Sequence, residues 1–193
     1  MTAAGRVIIL LVPQVAWLIT PKRAMTPGRN ETIMVKDRTP VTPCILLLKE
    51  HAVPFHLHAY RYEDRGGTRA SARELGVDEH LIIKTLVMED EGKSPLIILM
   101  HGDRQVSTKT LARALGVKSV VPCDPKVAER HTGYRVGGTS PFGTRKPLRI
   151  YMEASIAPLP RIFINAGSRG LLAEIAAADL IRVLNPAIVQ VAL

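Results

Sequence analysis

The chain predicts an α+β fold: a single domain with a curved, nearly closed mixed β-sheet surrounded by helices. Three observations lead there. Helix-like and strand-like segments interleave along residues 42–191. Several strand candidates are separated by loops too short for a helical crossover, so neighbouring strands must pair as hairpins within a mixed sheet. Residues 95–100, PLIILM, form a near-continuous apolar run of the kind found in a central strand buried on both faces. The 193 residues suffice for one such domain with its own core.

The elements follow in order. Thr42-Pro43 is an N-cap followed by proline at the first helical position, and the leucines after it supply a buried face up to about His51. Residues 55–60, FHLHAY, alternate as a strand, with His56 and His58 on one face. Residues 68–75 form a short helix that Gly76 closes. An apolar strand holding a single lysine follows at 82–88, then a turn at Asp90-Glu91-Gly92-Lys93 and the strand at 95–100. Ser107 caps a helix that Gly116 ends, residues 117–121 are a short strand, and Asp124-Pro125 opens a helix ending near Gly133. Strands are expected at 148–152, 161–165 and 171–175, with a second glycine-bearing turn over 166–170. A helix at 176–184 and a short strand at 188–191 complete the chain.

Residues 1–40 differ in character from residues 41–193. The apolar run 7–19 is interrupted by Pro13 and Gln14, and a Pro/Thr-rich charged stretch follows it. Two readings stand. One is an added extension, or a start assigned too far upstream with Met34 as the true start; the other is a membrane anchor. The preferred extension reading carries no stable membrane association.

Charge narrows the function classes. The net charge is +9, with 26 Lys and Arg against 17 Asp and Glu, which suits an anionic partner and nucleic acid first. Only 4% of residues are aromatic, too few for a large base-stacking platform. Cys44 and Cys123 form no CxxC, and the histidines show no metal spacing, so the thiols read as reduced and cytoplasmic and no metal is expected.

The stretch 134–146, YRVGGTSPFGTRK, is the candidate site. Gly137, Gly138 and Gly143 let a ligand approach the backbone, and Pro141 stiffens the loop between them. Such a loop can aim N–H groups at an oxyanion or phosphate; it can also be a plain connection between two strands. Arg135, Arg145 and Lys146 at its rims favour an anion. Lys109 and Arg113, four apart on one helix face, are either a solvated face or an RNA-backbone contact. Lys84 either snorkels from a strand edge or points into a site. No catalytic triad motif is present: Ser140 has no evident histidine base, and Cys123 before a helix N-terminus reads more simply as filler.

Taken together, TPxxxLLK, VPFxxHxY, ELGV, IKTLV, ALGVKSV, TGYxVGGTSPFG and AGSRG, in that order over residues 42–191, resemble the YbaK-type prolyl-tRNA editing family. The resemblance implies a trans-acting aminoacyl-tRNA deacylase, related to the editing insertion of prolyl-tRNA synthetases. It would cleave the ester between a wrong amino acid and the 3′-terminal adenosine, with no metal or organic cofactor. It implies Lys84 near the acceptor-end phosphate and ribose, with Thr85 beside it and Tyr60 in the site. The loop Gly137-Gly138-Thr139-Ser140-Pro141 would shape the aminoacyl pocket, Gly137 acting with Lys84 in catalysis. The second glycine turn departs from the family's Ser-Gly-Gly: here it is Asn165-Ala166-Gly167, and Leu172 stands where a polar residue is common. The expected substrate is Cys-tRNA(Pro), its own thiol attacking the ester and leaving as a thiolactone. Ala-tRNA(Pro) with a bound water, or a tRNA-end binding module without turnover, are the alternatives. Prolyl-tRNA synthetase is an expected partner and the cytoplasm the expected location.

Overall fold

The computed structural model describes residues 40–193. The expectations for the preceding segment, an extension with an apolar run at 7–19 and a start at Met34, lie outside the described residues. Five helices are described: α1 (Pro43–Glu50), α2 (Gly67–Leu75), α3 (Thr108–Leu115), α4 (Pro125–Thr132) and α5 (Ala177–Leu184). Their ends are where capping chemistry puts them. The hydroxyl of Thr42 accepts from the Ile45 amide, Ser107 from Thr110, and Asp124 from Lys126 and Val127. Gly76, Gly116 and Gly133 close α2, α3 and α4 in the left-handed conformation.

The strands are β1 (His56–Ala59), β2 (Ile82–Asp90), β3 (Pro95–His101), β4 (Val120–Pro122), β5 (Arg149–Glu153), β6 (Ile162–Ser168), β7 (Leu171–Ile175) and β8 (Ala187–Val189). They make one sheet in the order β1-β7-β6-β2-β3-β5-β8, with β4 attached to β2. The hairpins β2–β3 and β6–β7 are antiparallel; β2–β6, β3–β5 and β5–β8 are parallel. The mixed sheet with helices around it is therefore as expected. It does not close: β1 and β8 end the path unpaired with each other.

Three elements differ from expectation, the last strand among them, since it spans Ala187–Val189 and stops short of 191. The short strand begins at Val120 rather than 117, because the Lys118 and Ser119 amides bond the Glu91 carboxylate before the ladder to β2 starts. β6 continues through Ala166-Gly167-Ser168, where a turn was expected; a register shift between Asn165 and Ser168, with Gly167 at φ +89°, absorbs the irregularity.

Alternation along the strands divides the core. Ile83 and Val87 of β2, with Ile97 and Leu99 of β3, face a large cluster closed by α1, α4 and α5. The opposite face carries two separate clusters. One, under α3, takes Met88, Leu96, Ile98 and Met100; the other, under α2, takes Ile82, Phe163 and Leu172. Lys84 is on this second face, in the seam between them.

Candidate active site

The site originates in a break in the sheet. On the edge of β2 away from β3, β6 pairs only with Ile82 and Ile83, and β4 only with Met88, Glu89 and Asp90. Cys123 N still donates to Val87 O at 3.1 Å, but residues 84–86 have no ladder partner on that edge among the described residues. A cavity of about 730 Å³ opens there, and Lys84, Thr85, Leu86 and Val87 all line it. That volume is within the range of small-molecule sites.

Lys84 is half-buried and its Nζ donates to the carbonyl of Arg104, in the turn after β3. Burial pulls its ammonium below the usual lysine range, while the carboxylates of Glu79 and Asp103 act in the opposite direction. Thr85 Oγ1 is buried without a hydrogen-bond partner among the described residues. An unmet buried hydroxyl costs about 1–3 kcal/mol, which a polar ligand group would recover. Tyr60 comes from the chain just after β1, where its amide donates to Gly170 O at 2.9 Å. Burial raises the pKa of its phenol, so the hydroxyl stays protonated at neutral pH.

The glycine-rich loop joins α4 to β5, so it is not a connection between two strands. Gly137 and Thr139 line the cavity. Gly137 has φ +87°, and a Cβ there would come within 2.6 Å of the Tyr62 hydroxyl. Asn165 ties this loop to β6: its Nδ2 donates to Gly137 O at 3.2 Å, and its Oδ1 accepts from Gly167 N at 2.8 Å. Gly138, Ser140 and Pro141 are buried and are not among the lining residues. The Gly138 amide closes a turn onto Arg135 O, and a Cβ on Gly138 would meet the Arg169 backbone at 2.9 Å. Ser140 Oγ accepts from the Phe142 amide at 3.3 Å, beneath the loop. The structure thus gathers Lys84, Thr85, Tyr60, Gly137, Thr139 and Asn165 around one cavity, with Gly138, Ser140 and Pro141 behind its wall.

The basic residues expected to meet RNA lie elsewhere. Arg145 and Lys146 close the end of α4, their amides bonding Thr132 O and His131 O, and the Arg145 guanidinium reaches Arg130 O. Lys109 and Arg113 are exposed on α3 and do not line the cavity. The cations that do, besides Lys84, are Arg65 and Arg169. Sequence reasoning missed both, and Tyr62 with them. The available signals were the adjacency of Arg169 to the second glycine turn and the position of Tyr62 two residues beyond Tyr60.

No histidine is among the residues lining the cavity. Its one thiol, Cys123, is pushed up to about 11 by burial and by Glu89, whose carboxylate lies 3.7 Å away. Cys44 is buried behind the loop and is likewise raised to about 11. The lining therefore holds no side-chain nucleophile paired with a histidine base. Among the described residues no cluster of His, Cys, Asp and Glu could hold a metal ion, and no helix is long and apolar enough to cross a membrane.

Comparison with known proteins agrees with this architecture. The sequence pattern of the family described as "Aminoacyl-tRNA editing domain" matches residues 63–183. A protein of Enterococcus faecalis named "Putative Cys-tRNA(Pro)/Cys-tRNA(Cys) deacylase EbsC" is 30% identical over 79% of this chain and 94% of its own length. A proline–tRNA ligase of Brachyspira hyodysenteriae is 31% identical over 38% of this chain, a match confined to 13% of the ligase. The crystal structure of a "putative trans-editing enzyme for prolyl tRNA synthetase" superposes with a TM-score of 0.67 at 17% identity, covering 79% of this chain and 98% of that one, and so shares its fold. The chain belongs to the aminoacyl-tRNA editing domain family, the YbaK-type family that its motifs resemble, and is an aminoacyl-tRNA deacylase.

Proposed function

We propose that the substrate is tRNA(Pro) mischarged with cysteine, and that the substrate's own thiol attacks the ester. The observation that carries this reading is the composition of the cavity wall: it is lined by hydroxyls and one thiol, but by no histidine to activate any of them. Asp64 is its one carboxylate, and it is exposed at the mouth. A mechanism in which the protein supplies neither nucleophile nor strong base fits that lining. The cysteinyl relative of 30% identity points the same way.

In this step the cysteine sulfur bonds to the ester carbonyl carbon and the bond from that carbon to the ribose oxygen breaks. The thiol proton ends on the ribose oxygen, leaving free tRNA and a thiolactone that water opens. The chain's part is to hold the two groups together and to stabilise the developing oxyanion. Lys84 supplies positive charge beside the acceptor end. Thr85 Oγ1 offers the amino acid a donor already stripped of water, and the Gly137 turn shapes the wall opposite.

The test is deacylation of tRNA(Pro) charged with cysteine, serine, alanine or proline. A pocket alone separates cysteine from serine by only about 1–3 kcal/mol. Cysteinyl cleavage exceeding seryl cleavage by well over that margin, with activity retained in Cys44→Ser and Cys123→Ser, is the expected result. Equal rates on the two esters would refute thiol assistance. Fast alanyl cleavage with little on cysteinyl would place a bound water in the thiol's role.

A further inference from the structure

The same cavity has a feature that the ester-cleaving step does not use. Tyr62 and Arg169 meet there. The Arg169 guanidinium carbon lies 5.1 Å from the Tyr62 ring centroid. Its Nε also donates to Val136 O at 2.9 Å, so a second bond, independent of the tyrosine, helps to orient the guanidinium. The hydroxyl end of the ring abuts Gly137, where any side chain would collide with it. Three chain segments distant in sequence (the one after β1, the glycine-rich loop and the β6–β7 turn) therefore converge to present one cationic, aromatic, partly exposed surface. Tyr60, the other tyrosine of the lining, packs against the α2 cluster instead.

We propose that Tyr62 and Arg169 form the subsite for the terminal adenine of the aminoacyl-tRNA, stacking the base while Lys84 and Thr85 receive the ester. This rests on reading the cavity as the aminoacyl-ester site. An aminoacyl-tRNA ends in a single-stranded nucleotide, and unpaired bases are bound by stacking on aromatic rings and guanidinium planes. Elsewhere the lining includes the aliphatic side chains Ile82, Leu86, Val87 and Leu172. Arg65, also in the lining, puts a third positive charge at the cavity, after Lys84 and Arg169, for the phosphate that precedes the terminal nucleoside. A pair that merely bolted the loops together would not sense the base.

The experiment uses the full chain and an acceptor-stem RNA whose 3′ end is either adenosine or an abasic ribose, cysteinylated for turnover and uncharged for binding. Removal of the base raises KM and the Kd of the uncharged RNA by on the order of tenfold, with kcat changed less. Tyr62→Leu produces a comparable loss on the adenosine-ended RNA and adds little on the abasic one, and Tyr62→Phe recovers most of that loss. Binding by the wild-type protein that ignores the terminal base overturns the proposal without any variant. So do full, additive losses from the substitution and from base removal. Failure to cleave any aminoacyl ester while binding still depends on the base would instead overturn the ester reading and leave the subsite standing.

Discussion

Lys84→Ala tests the site where its physical argument is most specific. The side chain projects from β2 into the seam between the α2 and α3 clusters, half-buried, with its ammonium held by the Arg104 carbonyl. Two opposite unit charges about 4 Å apart, at an effective dielectric of about 20, attract by about 4 kcal/mol. Removing one preorganised group from an oxyanion site has a cost of similar size, about 2.7–4 kcal/mol. Half-exposure lowers the lower bound, so we expect a loss of about 2–4 kcal/mol in transition-state stabilisation, or about 30- to 900-fold in rate. Stability should change little: the ammonium is already disfavoured by burial, and the vacated Arg104 carbonyl is in an exposed turn. Single-turnover deacylation of cysteinyl-tRNA(Pro), alongside thermal unfolding of the same preparation, separates the two effects. Turnover at the wild-type rate in a folded Lys84→Ala protein would refute the electrostatic role and leave a lysine that only snorkels.

Four further outcomes follow from the same geometry. Affinity for tRNA should fall steeply between low and physiological salt, since each phosphate contact releases counterions; a flat dependence would argue against a phosphate-bound complex. Gly137→Ala should cost about 1–2 kcal/mol of stability from its positive φ and displace Tyr62, weakening substrate binding; unchanged KM would show the mouth to be tolerant. Fully buried His101, which bonds His80 O and Ser155 Oγ, stacks on His80 and is near Asp103 and Glu153, is held below its ordinary 6.5 chiefly by burial; the unfolded chain then takes up the proton first, so stability falls as pH drops from about 6.5 through the folded value, and His101→Gln should flatten that part of a melting-versus-pH curve. Deletion of the segment before Met34 should leave folding and deacylation intact, as judged by unfolding and turnover of the shortened chain; aggregation would make that segment part of the domain.

Much of this fold could be read locally, and the limit falls where locality ends. Thr42, Ser107 and Asp124 start helices by satisfying their own first amides, and Gly76, Gly116 and Gly133 end them; each signal sits within a few residues of its effect. The extension of β6 through Gly167 was not legible, because it depends on pairing with β7 across a register shift rather than on the turn-like composition of Ala166-Gly167-Ser168. The odd lysine in an apolar strand was visible, but its direction was not. Alternation says only that Lys84 and Thr85 face opposite ways, and both reach the cavity because β6 and β4 leave residues 84–86 of that edge of β2 unpaired. The basic rim shows the same limit. Arg145 and Lys146 are next to the glycine-rich loop in sequence, which made them natural partners for its ligand. Their amides and the Arg145 guanidinium take the last carbonyls of α4, where a cation is also favoured by the helix dipole. Arg65 and Arg169 come from turns more than 25 residues from that loop's nearest glycine, and only the convergence of separate loops brings them to the same cavity. A charge beside a glycine-rich loop can be answering the helix it terminates, and the charge that lines the cavity arrives from wherever the sheet brings another turn.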